Sequence, residues 1–121
     1  MAKNNTRFIC TVTILALIII VGGVSPASSD IRLKDYETFK DTEGFKYYIY
    51  GVERGLAWAN TTLFTSGSKI LYCQPNELAL SKEEILDILK REIDKNAGKY
   101  TIDTPVELIL MYALMRTFPC K

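Results

Sequence analysis

Ser81-Lys82-Glu83-Glu84-Ile85-Leu86-Asp87-Ile88-Leu89-Lys90-Arg91-Glu92-Ile93-Asp94-Lys95-Asn96-Ala97-Gly98 is the stretch that decides the fold. Ser81 followed three residues later by Glu84 forms a capping box, and Leu80 and Ile85 are placed as its hydrophobic staple. Ile85, Leu86, Ile88, Leu89 and Ile93 recur at helical spacing and give one buried face. Lys82, Glu83, Lys90, Arg91 and Asp94 lie on the watered side, and Asn96-Ala97-Gly98 ends the helix.

The same signals recur on either side of it. Thr104 and Glu107 form a second capping box, with Pro105 at the first helical position, where a missing N–H does no harm. From Leu108 to Met115 this segment is apolar nearly all round, broken only by Tyr112, so it is expected to run through the core until Pro119 stops it. Upstream, Asp41-Thr42 offers an N-cap. Beyond it Phe45, Tyr48, Ile49, Val52, Leu56, Ala59 and Leu63 form a long apolar stripe that ends at the turn formers Thr65-Ser66-Gly67-Ser68. Gly51 and Gly55 lie four apart in this helix and each costs about 1 kcal/mol against Ala, which suggests a second backbone packed close to them. Ile70-Leu71-Tyr72-Cys73, cut off at Gln74-Pro75, reads as an extended connection. Ile31, Leu33, Tyr36 and Phe39 fit a short docked helix. The expected fold is therefore all-α, a small bundle of three to four main helices.

The first residues belong to another purpose. Lys3 and Arg7 precede an apolar run from Phe8 to Val24, and the small residues Ser25-Pro26-Ala27-Ser28-Ser29 follow. This layout is that of a secretory signal peptide over residues 1–29, cleaved after Ala27 or Ser29, leaving one domain at 30–121. The alternative is a retained anchor, for which seventeen apolar residues are about the minimum span. Removing the signal leaves 13 basic against 14 acidic residues, a nearly neutral chain with no basic stripe for nucleic acid or anionic lipid. It also removes Cys10, so three cysteines become the pair Cys73 and Cys120. In an oxidising compartment these can form one bridge, joining the C-terminus to the central connection, the alternative being two buried thiols.

Little in this domain can do covalent chemistry. There is no histidine, and no cysteine is spare once the bridge forms. The carboxylates fall on caps (Glu84, Glu107) or on solvated faces (Glu83, Asp87, Asp94). Neither an enzyme nor a cofactor or metal site is expected. Asn60-Thr61-Thr62 matches a glycosylation sequon but reads as chance or as a local cap. Trp58 and the group Tyr47, Tyr48 and Tyr50 are residue types that anchor protein interfaces, although each also suits core packing.

Tyr48-Ile49-Tyr50-Gly51-Val52, Gly55, Trp58-Ala59-Asn60, Leu71-Tyr72-Cys73-Gln74-Pro75, Leu78, Leu80 and Phe118-Pro119-Cys120 follow one another in an order and spacing that resembles the Rap/Tai family of immunity proteins. The resemblance covers about Phe45 to Cys120. Many members of that family begin the first helix with an additional cysteine pair, which this chain lacks. The resemblance implies a Gram-negative periplasm and a protein partner, a peptidoglycan amidase effector of type VI secretion whose cleft is occluded. It also implies that Gly51, Gly55 and Trp58 serve helix packing. Contacts to the effector are then expected from the Thr61–Lys69 and Asn96–Thr104 loops. The second reading is a non-catalytic periplasmic structural or stress-accessory protein without a toxin partner. A homodimer sharing the helix from Pro105 is compatible with either.

Overall fold

The computed structural model describes residues 30–75 and 77–121; the signal-peptide and anchor readings of residues 1–29 lie outside them. Four α-helices appear in chain order, α1 Leu33–Phe39, α2 Glu43–Thr65, α3 Lys82–Asn96 and α4 Val106–Thr117, with a 3-10 turn Ala97–Lys99 after α3. The fold is all-α, with no strand among the described residues. One disulfide, Cys73–Cys120, joins the C-terminus to the connection between α2 and α3, with the two Cα atoms 4.9 Å apart.

Each helix begins where its local chemistry allows. The Thr42 hydroxyl accepts from the Phe45 N–H at the start of α2. At α3 the capping box is formed on both sides, the Ser81 N–H donating to Glu84 Oε2 at 2.8 Å and the Glu84 N–H returning to the Ser81 hydroxyl. These bonds hold the Glu84 carboxyl below its usual pKa. α2 ends in a turn where Gly67 takes φ +71°, a region that favours glycine.

The start of α4 departs from the expected second capping box. Pro105 is the N-cap, so the helix starts one residue later than expected. Thr104 turns back, its hydroxyl accepting from the Thr101 N–H at 3.1 Å. Glu107 accepts from the Tyr48 hydroxyl on α2. The reason is tertiary: the Leu33 N–H takes the Thr104 carbonyl and the Val106 N–H takes the Ile31 carbonyl, so α1 fixes this backbone.

The core is one cluster: Tyr36 from α1, Phe45 and Ile49 from α2, Tyr72 and Leu80 from the connection, Ile85, Ile88, Leu89 and Ile93 from α3, and Val106, Ile109, Leu110, Ala113 and Leu114 from α4. α4 is not central on all sides, since Leu108 and Tyr112 are exposed. α2 is used unevenly. Its buried residues are Phe45, Ile49 and Glu53, all in the first half; Ala59 is exposed and Leu63 half-buried. Leu56 is the last α2 residue packed against the core, and the roughly two turns beyond it overhang.

Candidate interaction surface

Glu53 marks the place where α2 leaves the core. Its carboxylate is fully buried, with Arg54 Nε donating to Oε2 at 2.6 Å while the guanidinium stacks over Tyr50, 5.4 Å from the ring centroid. Glu53 Oε1 and the Tyr72 hydroxyl are both buried without a hydrogen-bond partner. Burial, and then the Glu53 charge, push the Tyr72 phenol up to about 12. Glu92 on α3 is the other buried carboxylate; Arg116 of α4 donates to it, as does the Tyr100 hydroxyl at 2.5 Å. The sequence pattern had placed the chain's carboxylates on caps and solvated faces. Neither buried one was foreseen, although Glu53 lies four residues after Ile49 and Glu92 four after Ile88, each on the buried face of its own helix.

Past Glu53, the overhanging half of α2 is secured by Asn60. Its Nδ2 donates to the Tyr72 carbonyl at 2.7 Å and its Oδ1 accepts from the Leu71 N–H at 2.7 Å. Asn60 is thus not a cap of its own helix; it clasps α2 to the connection. The Cys73 N–H then donates to the Phe118 carbonyl beside the disulfide. Two shallow clefts flank the clasp. One, of about 320 Å³, lies among Arg54, Asn60, Tyr72, Gln74 and Leu78; the other, of about 280 Å³, lies among Asn60, Phe64, Ile70 and Tyr72.

The helix-packing role expected for Gly51, Gly55 and Trp58 is not what the fold shows. A Cβ added to either glycine meets nothing within 4 Å, and both glycines are exposed. Trp58 is 73% exposed. Helix geometry explains the misplacement. At about 100° per residue, Trp58 lies about 180° around α2 from the core residue Ile49, with Gly51 and Gly55 about 200° and 240° away. All three sit on the outer face.

Other large side chains are also exposed. Phe64 (72%) and Ile102 (67%) fall within the Thr61–Lys69 and Asn96–Thr104 segments expected to make contacts, although the first is helical to Thr65. The two segments have separate anchors, the Asn60 clasp for one and α1 for the other, through the Lys34 N–H to the Ile102 carbonyl. Among the described residues no group of His, Cys, Asp or Glu is arranged to hold a metal ion, and no helix is long and apolar enough to cross a membrane.

No family model, curated protein or solved structure matches the chain.

Isolated exposed apolar residues are ordinary on a protein surface. Two of them, Trp58 and Phe64, stand on the second half of α2, which carries no charge. The four charged residues of α2 are Glu43, Lys46, Glu53 and Arg54, so nothing from Gly55 to Thr65 carries one. A solvent-facing helix normally presents charge on that side.

Proposed function

We propose that this protein is a periplasmic immunity protein that binds a peptidoglycan amidase effector of type VI secretion and occludes its cleft. The observation that carries the reading is the ordered set of segments Tyr48–Val52, Trp58–Asn60, Leu71–Pro75 and Phe118–Cys120, which resembles the Rap/Tai family. Several features support it: the export-like first 29 residues, the disulfide clamp, and the exposed Phe64 and Ile102 in the two segments expected to meet the effector. Binding by such apolar anchors needs no catalytic group on this chain.

The test is co-production in the periplasm with the peptidoglycan-cleaving enzyme encoded beside it. The enzyme alone should lyse the cells, and this protein should restore growth. The purified pair should co-elute, and cleavage of isolated peptidoglycan should stop at one equivalent. An adjacent gene without a peptidoglycan-active product, or an enzyme still active under excess of this protein, would refute the proposal. A deletion strain sensitive to envelope stress without any competitor would favour the accessory-protein reading instead.

A further inference from the structure

We infer that the groove between α3 and α4 binds a small oxyanion, a phosphate or carboxylate group, through Arg91, Lys95 and Arg116. This goes beyond the immunity reading and does not depend on it. Residues 30–121 are nearly neutral, with 13 basic against 14 acidic side chains. Yet Arg91 and Lys95, four apart on α3, and Arg116 on α4 line a single cleft of about 250 Å³. Asn96 and Thr117 add hydrogen-bonding groups to its wall, and Ala113 is part of its apolar floor.

Glu92 prepares the site from the core side. Only 6% exposed, it accepts on Oε1 from Arg116 Nη1 and from the Tyr100 hydroxyl, so the guanidinium is fixed at one corner. The Arg116 side chain stays 44% exposed, and its Nε and Nη2 have no partner among the described residues. Arg91 likewise uses only its Nε, which lies 3.0 Å from the Asp87 carboxylate. Lys95 has no ion-pair partner among the described residues. A guanidinium held in this way presents its remaining N–H groups in one plane, a geometry that matches two oxygens of a carboxylate or phosphate.

Charge and size select the occupant. Of the carboxylates near the cleft, Glu92 is engaged by Arg116, and Asp87 is an exposed partner that holds Arg91 only weakly in water. Lys95 leaves one positive charge uncompensated. Helix dipoles account for part of this arrangement, since Lys95 and Arg116 stand in the last turns of their helices, but Arg91 does not. The cleft beside Asn60 differs: its one cation, Arg54, is already held by Glu53, and Glu77 lines the same space. At about 250 Å³ the α3–α4 cleft falls below the roughly 300–1,000 Å³ of pockets that enclose a whole drug-sized ligand. It therefore takes an anionic group and not an entire cofactor.

The probes are inorganic phosphate and acetate, titrated into the exported protein at constant ionic strength and followed by NMR, with sodium chloride as the control. Saturable shifts should be confined to Arg91, Lys95, Asn96, Arg116 and Thr117. A dissociation constant on the order of millimolar is expected for so small a ligand in an open cleft. Lys95→Gln should raise it at least about fivefold. Arg116→Lys keeps a charge for Glu92 but loses the planar fork, so it should weaken binding by about as much while the helical signal is retained. Lys90 pairs with Asp94 and lies near Tyr36 of α1, so Lys90→Gln should leave binding unchanged. Saturation by phosphate alone assigns phosphate groups, and saturation by acetate as well assigns carboxylates; either outcome supports the site. Shifts that chloride reproduces, no saturation at about fifty times the expected constant, or equal losses in Lys90→Gln and Lys95→Gln would overturn it.

Discussion

Replacing Tyr72 with phenylalanine should make this protein more stable, contrary to the usual result for a fully buried tyrosine. The ring is 1% exposed and packs in the core, so phenylalanine keeps its contacts. The hydroxyl, however, has no partner and lies near the Glu53 carboxylate, whose Oε1 is also unpartnered. A buried polar group without a bond costs about 1–3 kcal/mol, and phenylalanine removes that cost without breaking a hydrogen bond. A gain of about 1 kcal/mol is expected, or roughly 4–8 °C in Tm for a domain of this size. The pH dependence gives a second readout. With its folded pKa at about 12 against the ordinary 10, the buried phenol resists ionisation, so this group leaves stability independent of pH below pH 10 and lowers it as pH rises from 10 toward 12. Over that window the wild type should lose roughly 2–3 kcal/mol from this group. Tyr36 and Tyr100 are raised in the same direction, chiefly by burial, so the Tyr72→Phe slope should be reduced and not abolished. Urea unfolding at pH 7 and across the alkaline range, alongside absorbance titration of the phenolates, measures both. A variant destabilised by more than about 1 kcal/mol at pH 7 would show that the hydroxyl makes a bond, and an unchanged alkaline slope would remove Tyr72 as its source.

Three further outcomes follow from the geometry. Cys73→Ser with Cys120→Ser opens a loop with a sequence separation of 47 residues and should cost about 3–4 kcal/mol, a large share of the stability of a small domain, read by denaturant midpoint. Asn60→Ala leaves the Leu71 N–H and the Tyr72 carbonyl without their clasp; a loss of roughly 2 kcal/mol is expected, with faster amide exchange confined to the end of α2 and residues 66–72. Ser81→Ala should cost about 1 kcal/mol through the α3 cap, whereas Thr104→Ala should cost clearly less, because Pro105 caps α4 and Thr104 serves only the turn before it. Equal losses at the two positions in thermal unfolding would show that the Thr104–Glu107 box forms after all.

Much of the fold was legible because helical spacing and caps act over a few residues. Ile85 to Ile93 lie buried on α3, and Ser81 and Glu84 cap it as their order implies. The pairing of Cys73 with Cys120 rested on counting and needed only that the folded chain bring them together. Gly51, Gly55 and Trp58 lie outside the packing that their spacing suggests, because their angle from Ile49, itself fixed by helical periodicity, turns them to the outer face of α2.

The sequence by itself thus determined the helices, their apolar faces, the turn at Gly67 and the partners in the disulfide. These depend on local backbone propensity and on side-chain periodicity. Only the tertiary structure decided how far along α2 the core extends, because that depends on where α3 and α4 stop. It likewise placed Glu53 and Glu92 inside with their arginines, moved Glu107 from a cap to Tyr48, and gave Asn60 its clasp. Apart from Glu53 and its neighbour Arg54, each of these joins residues on separate elements, and no local pattern encodes such distances.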